Sequence, residues 1–294
     1  MSKALAVIES SESSHHLVIA GEAGYFSIPG ITTLTDALHL SVSQLQGLID
    51  GKQGPSVQGK LVAPVAPETE VWGAGVTYLR SRDARKEESG VPDVYQRVYE
   101  ADRPELFFKG TAGRTLGTGV DIGIREDSHA SVPEPEVAIV INRFQEVVGL
   151  TICNDVTART IEGENPLYLS QAKIYVGSAS LGPTITPIWE IDDLQALAIK
   201  AKIERGTQII WQAETSLAAL HRTFADLVSY LFRCQIFPDG VILSTGTGIV
   251  PPLDISLEAN DVVSITVDKV GTLSNRVSVI ALDIHTRTLG TGAK

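Results

Sequence analysis

The run Val132-Pro133-Glu134-Pro135-Glu136-Val137-Ala138-Ile139-Val140-Ile141-Asn142 joins an apolar strand to two carboxylates at its mouth. Alternate residues of a strand point to the same face, so Glu134 and Glu136 are predicted to sit side by side. Two like charges entering a core repel each other and lose hydration, at a cost of roughly several kcal/mol unless a cation or a proton compensates. A divalent metal is the simplest compensation. Nineteen residues beyond Glu136, Asp155 ends another apolar run, Gly149-Leu150-Thr151-Ile152-Cys153-Asn154-Asp155. Three converging carboxylates with no nearby His or Cys suit a hard, oxygen-seeking ion: Mg²⁺, Mn²⁺ or Ca²⁺.

The 294 residues suffice for a large core, as one large domain or a large one with a small companion. A hydrophobic content of 43% and a mean hydropathy of +0.11 describe a folded globular chain. The formal net charge of −11, with no basic stripe, argues against nucleic acid and anionic membrane surfaces as partners. Small anionic substrates stay open, because a metal with local Lys or Arg reverses the field inside a cleft. Cys153 and Cys234, both in apolar surroundings, read as reduced core residues of a cytoplasmic protein. The N-terminus turns polar too early for a signal peptide, and no apolar run is long enough to span a bilayer.

Leu5 to Ile8, Leu17 to Ala20 and Tyr25 to Ile28 are predicted strands, followed by one helix over Asp36 to Ile49 that ends at Gly51. Pro64-Val65-Ala66-Pro67 reads as a connection, so the chain divides into a small N-terminal domain, 1–63, and a main domain, 64–294. The charged segment Arg80 to Arg103 fits either an active-site lid, helical and mobile in part, or a solvated surface helix. Many short apolar runs follow, from Leu106 to Phe108 through Val262 to Val267, with a hairpin tip at Arg205-Gly206-Thr207. One amphipathic helix carries Leu217, Leu220, Phe224, Leu227, Val228 and Leu231 on one face. The pattern predicts an α+β main domain on a rolled or sandwiched sheet.

Pro133-Glu134-Pro135-Glu136-Val137-Ala138, Asn154-Asp155-Val156-Thr157-Ala158-Arg159, Gln171-Ala172-Lys173 and Gly246-Thr247-Gly248 resemble, in order and spacing, the fumarylacetoacetate hydrolase superfamily. The resemblance covers about Val71 to Val267. It implies a mixed β-roll with a smaller N-terminal α+β domain, and a Mg²⁺-type ion held by Glu134, Glu136 and Asp155. It also implies that Lys173 reaches the site, that Gly246 and Thr247 touch substrate, and that the protein is a homodimer or homotetramer. The setting of Lys173 among Leu167, Leu169, Ala172 and Ile174 agrees with a partly desolvated ammonium.

The departures bear on the reaction. Carbon–carbon hydrolases of the superfamily often open their lid with Gly-x-Asn-Tyr-x-x-His, and that His with a nearby Glu activates water. Gly75-Val76-Thr77-Tyr78-Leu79-Arg80-Ser81 puts Ser81 at the His position, and Ala84 stands at the Glu position. Without that pair, a water nucleophile lacks its general base. Ile161 to Leu169 ahead of Gln171-Ala172-Lys173-Ile174-Tyr175, Arg103-Pro104-Glu105-Leu106-Phe107-Phe108-Lys109 and Gly248-Ile249-Val250-Pro251-Pro252 resemble the dehydratase branch that acts on 2-keto-3-deoxy pentonates. Val176 departs from the polar residue common there.

The resemblance thus implies a metal-dependent dehydration of a small 2-oxo sugar acid to 2,5-dioxopentanoate. Lys173 and Glu105 are the candidates for proton transfer, and Ser81, Arg82, Gly246 and Thr247 for substrate binding. An acylpyruvate hydrolase or oxaloacetate decarboxylase is the alternative, since each shares the metal and the 2-oxo acid. The isolated histidines show no mutual spacing for a metal or a triad, and His221 and His285 read as structural.

Overall fold

The computed structural model describes residues 3–88 and 92–282, so His285 lies outside the described residues. Within them the strand Pro135–Ile141 is buried along its whole length. Its two faces meet different partners. Val137, Ile139 and Ile141, with Leu150 and Ile152, pack against Ile199, Ile203, Val263 and Ile265 of a second sheet. Ala138 and Val140, with Val148 and Cys153, pack against Leu5, Leu34, Leu38 and Leu45 from the N-terminal segment. A strand covered on both faces has no wet side, which is why its sequence is a continuous apolar run rather than an alternation. Each buried Val, Leu or Ile among them contributes roughly 1.5–3 kcal/mol by leaving water.

Among the described residues two sheets, of twelve and five strands, and few helices form a mixed α/β fold. In the larger sheet Val147–Asp155 lies between Ala179–Pro187 and Pro135–Ile141, both antiparallel to it. Beyond Pro135–Ile141 come Val241–Thr247, then Glu70–Gly75 parallel to it, then Glu105–Thr111. On the opposite side Ala4–Glu9 joins Ala179–Pro187, with Leu5 opposite Ile185, and the N-terminal strands continue the same sheet. The smaller sheet runs Gln208–Ser216, Ala198–Arg205, Val262–Val267, Gly271–Ile280 and Ile122–Arg125.

Several local features differ from the sequence reading. The helix predicted over 36–49 is two, Leu34–Leu38 and Val42–Asp50. Each starts with a capping box, Thr33 with Asp36 and Ser41 with Gln44, and a new cap at Ser41 requires the first helix to have ended. The stripe 217–231 is helical only over Phe224–Leu231, after Thr223 accepts a bond from Asp226 N; Leu217–Ala219 is a single 3₁₀ turn. Gly206, at φ 61°, forms the expected hairpin tip. Ala179–Pro187 and Gly271–Ile280 went unread because Gly182-Pro183 mimics a turn and the second is half polar. Cys153 is buried, but Cys234 is exposed, so it is not a core residue.

The charged segment forms two helices, Leu79–Glu88 and Pro92–Glu100, and residues 89–91 lie outside the described residues. Arg222 holds the second, donating to the carbonyls of Asp102 at 2.9 Å and Ala101 at 2.5 Å. His221 stacks on Tyr99 with ring centroids 4.5 Å apart. Among the described residues no helix is long and apolar enough to cross a membrane.

Candidate metal centre and active site

The ladder between Pro135–Ile141 and Val147–Asp155 sets Glu136 opposite Cys153, and at its open end Asp155 N donates to Glu134 O at 3.0 Å. The three acidic side chains therefore meet at one mouth of the sheet. One oxygen from each of Glu134, Glu136 and Asp155 lies within 4.8 Å of the others, and all three residues are buried. Glu136 Oε2 accepts from Ser244 Oγ at 2.5 Å and from Gly246 N at 2.8 Å. Gly246 takes φ 93°, and a Cβ there would collide with Thr77 Oγ1 and the Ala74 carbonyl. Only glycine presents its N–H to Glu136 from that position. Thr247 Oγ1 lies 2.9 Å from the carbonyls of Pro135 and Ile249.

Among the described residues three cations surround these acids. Lys173 Nζ donates to Glu134 Oε2 at 2.7 Å, Asp155 Oδ2 at 2.9 Å and Thr157 Oγ1 at 2.7 Å. Lys109 Nζ stands 2.5 Å from Asp155 Oδ1 and donates to the carbonyls of Lys173 at 2.5 Å and Val156 at 3.3 Å. Arg85, on the helix Leu79–Glu88, places Nη2 3.1 Å from Glu134 Oε1 and pairs through Nη1 with Glu162.

These contacts set the protonation of the site. Burial pushes the Lys173 ammonium toward losing its proton, but Asp155, Glu134 and Glu162 outweigh it and raise its pKa. Burial raises Asp155 as well, yet Lys109 and Lys173 hold it below the usual carboxylate range. Among the described residues Glu136 forms no ion pair, and the pull of Lys173 on it is outweighed. Burial first, then Asp155 and Glu134, push it up to about 8. Burial likewise raises Glu105, against the pull of Arg85 and Lys173.

The donor set and the charge balance both test for a metal. Glu105, Glu134, Glu136, Asp155 and Glu162 face Arg85, Lys109 and Lys173, which leaves two negative charges when every acid is ionised. Protons on Glu105 and Glu136 are one way to close that balance. A divalent ion among the three converging oxygens is the other, and all-carboxylate donors fit Mg²⁺, Mn²⁺ or Ca²⁺.

Gly75, Ser81, Arg85, Glu105, Phe107 and Thr247 are among the residues that complete the cavity around the acids. The Glu105 carboxylate lies directly over Gly75, where a Cβ would collide with it. Ser81 Oγ donates to Tyr78 O at 2.8 Å and accepts from Tyr78 N at 3.2 Å. Arg82 does not line the cavity: it pairs with Asp83 Oδ1 at 2.6 Å and lies over the Tyr99 ring, 5.2 Å from its centroid.

The sequence motifs include Lys109, Thr157 and Glu162 but assign no site role to them or to Arg85. Arg85 follows Ser81 by four residues, one helical turn, and so shares its face. Lys109 follows Glu105 by four in a strand, also one face, in a run otherwise apolar. Among the described residues no histidine lines this cavity.

Residues 70–278 match the family described as fumarylacetoacetate (FAA) hydrolase C-terminal. The chain belongs to the fumarylacetoacetate hydrolase family. One family relative is a probable 2-keto-3-deoxyxylonate dehydratase of Haloferax volcanii, 46% identical over 217 residues, which are 74% of each chain. Another is the 2-dehydro-3-deoxy-D-arabinonate dehydratase of Saccharolobus solfataricus, 40% identical over 218 residues, 73% of each chain. A solved structure of 2-keto-3-deoxy-D-arabinonate dehydratase, complexed with magnesium and 2,5-dioxopentanoate, superposes with a TM-score of 0.82 at 31% identity. The likeness covers 95% of this chain and 99% of that one.

Proposed function

We propose that the protein is a magnesium-dependent hydro-lyase that converts 2-keto-3-deoxy-D-arabinonate, which also arises from xylonate, to 2,5-dioxopentanoate. The observation that carries this reading is the buried triad Glu134, Glu136 and Asp155 facing Lys173, in a chain 40–46% identical to dehydratases of that substrate. In it Glu134, Glu136 and Asp155 are the metal ligands. When bound, Mg²⁺ supplies Lewis acidity toward the 2-oxo acid and so acidifies its C3 proton.

The chain's own groups divide the remaining work. Lys173, held by three acceptors, serves as a fixed cation beside the developing enolate oxygen rather than as a base. Glu105 carries protons: it takes one from C3 and delivers it to the C4 oxygen, which leaves as water when the C4–O bond breaks. A second transfer, from C5 to C3, turns the allylic alcohol into the 4,5-enol, and passage of the enol O–H proton to C4 gives the aldehyde. Ser81, Gly246 and Thr247 lie on the cavity wall where substrate hydroxyls reach. Ser81 and Ala84, standing where hydrolases of the family have His and Glu, support elimination over water attack.

Residues 1–63 act as an accessory unit in this reading, since the cavity is lined from within 74–250. The two free cysteines support a cytoplasmic setting, in which we place a homodimer or homotetramer.

The test is incubation of the Mg²⁺-loaded protein with 2-keto-3-deoxy-D-arabinonate and analysis of the product. Formation of 2,5-dioxopentanoate is expected. Release of pyruvate from a 2,4-dioxo acid or from oxaloacetate, with no dehydration of the sugar acid, would overturn the reading.

A further inference from the structure

Among the described residues the strand Glu105–Thr111 ends the order of the larger sheet, with Glu70–Gly75 beside it, yet Glu105 and Phe107 both line the cavity around the acids. The register explains how. Glu105 is the cross-strand partner of Gly75, and Phe107 that of Gly73. Positions two apart in a strand share a face, so both side chains lie across the neighbouring strand just where it carries none. A Cβ on Gly75 would overlap Glu105 Oε2 and stand 2.6 Å from its Cδ, and one on Gly73 would stand 2.5 Å from Phe107 Cζ. Reaching across in this way, the Phe107 ring comes to 5.7 Å from Lys173 Nζ. Neither glycine takes a positive φ, so the backbone itself would accept alanine at either position. The helix Leu79–Glu88 gives the cavity no comparable proton carrier. Its Ser81 hydroxyl is bonded to the main chain of Tyr78, and its Arg85 guanidinium stays protonated.

We propose that Gly75 is the positioning residue of Glu105: its bare Cα lets the carboxyl cross the neighbouring strand to the reacting carbons, so that the proton carrier stands on the sheet and not on the lid helix. The assignment rests on the reading of Glu105 as the proton carrier of a 2-oxo acid site. The atoms that a methyl group on residue 75 would meet first are the tip of a flexible side chain. Such a methyl therefore displaces the carboxyl and leaves the strands where they are. A displacement of about 1 Å at a reacting group costs about 100-fold in rate.

The experiment measures two rates on Mg²⁺-loaded protein: dehydration of the 2-keto-3-deoxy sugar acid, and exchange of the C3 protons of pyruvate for deuterium in D₂O, followed by proton NMR. In the exchange Glu105 takes a proton from C3, the C–H bonding pair moves into the 2,3-enolate, and solvent deuterium replaces the proton on Glu105 before C3 is reprotonated. Gly75→Ala should slow both rates about 100-fold, with KM changed less than about threefold. Its Tm should stay within about 3 °C of wild type, and its Mg²⁺ affinity should be unchanged. Glu105→Ala clears the space over residue 75, so adding Gly75→Ala to it should change neither rate more than about twofold. If Gly75→Ala proves unstable, the double variant should recover the Tm, because the collision is gone. The proposal is overturned if Gly75→Ala keeps the wild-type rates, if it lowers rate or Tm equally with and without Glu105, or if the wild type shows neither rate. A protein that exchanges pyruvate through Glu105 and Gly75 but dehydrates no 2-keto-3-deoxy sugar acid would instead refute the proposed reaction and leave this placement standing.

Discussion

Lys109 and Lys173 hold the same carboxylate by opposite oxygens, Asp155 Oδ1 at 2.5 Å and Oδ2 at 2.9 Å. Lys109 also donates to the main-chain carbonyl of Lys173, so the strand Glu105–Thr111, the end of Val147–Asp155 and the helix Leu169–Lys173 meet at one ammonium. Breaking a buried pair by removing one member costs more than the pair itself contributes, because a charge is left unsatisfied. Lys109→Met should therefore destabilise the protein by about 3–5 kcal/mol in urea unfolding. A loss below about 1 kcal/mol would mean that Asp155 finds other compensation.

Lys173→Ala removes the ammonium that contacts Glu134, Asp155 and Thr157. Turnover of the 2-keto-3-deoxy sugar acid should fall about 10³-fold, the scale of a lost preorganised electrostatic contact. Steady-state kinetics on protein shown to be folded by circular dichroism decides the matter. Residual activity within about tenfold of wild type would remove Lys173 from the chemistry.

Metal removal should be visible in stability as well as in rate. With two negative charges left over among the site acids, an ion that binds only the folded state adds stability by mass action. Calorimetry in EDTA and then in rising Mg²⁺ should show a climbing Tm, by the equivalent of about 2.7 kcal/mol at a hundredfold excess over Kd. A Tm that ignores Mg²⁺ would contradict the assignment of Glu134, Glu136 and Asp155.

Gly246 combines φ 93° with an amide aimed at Glu136, 2.8 Å away. Gly246→Ala forces a Cβ into Thr77 Oγ1 and the Ala74 carbonyl, so backbone strain and displacement of the amide come together. A loss of about 2–3 kcal/mol is expected in denaturant unfolding, together with weaker Mg²⁺ binding. Gly47, inside a helix with open space around its Cα, is the contrast: Gly47→Ala should be neutral or stabilising.

Asp36 closes the capping box of the first helix and accepts from the N–H groups of Thr32 and Thr33 at 2.9 and 2.8 Å. Those bonds lower its pKa below the ordinary 3.8. A lowered folded-state pKa means the stabilisation is complete above 3.8 and is lost as pH falls through the folded value. Asp36→Asn should cost about 0.5–1 kcal/mol at pH 6, small because the group is exposed. The gap between variant and wild type should close in acid, and unfolding series at the two pH values measure it.

Short-range chemistry was legible in the chain. The spacing of Glu134 and Glu136, the apolar run that follows and Asp155 at the end of the next one were readable because strand periodicity is local. Departures were local too, and Ser41 with Gln44 carries in its own sequence the cap that splits the expected helix. Cys234 misled because apolar neighbours in sequence do not bury a residue that sits at φ 60° on the surface.

By itself the sequence determined that acids meet apolar strands and need positive charge, since that follows from burial and like-charge repulsion in any fold. Which positive charges answer them was decided only by tertiary structure. Arg82 and Arg85 are three residues apart and chemically the same, and the rotation of the helix Leu79–Glu88 against the core turns one to Tyr99 and the other to Glu134. Lys109 reads as a lysine in an apolar strand until the fold brings Glu105–Thr111, separated from Val147–Asp155 by three strands in the sheet order, to the end that carries Asp155. Periodicity places a side chain on a face of its own element, but only packing says what that face meets.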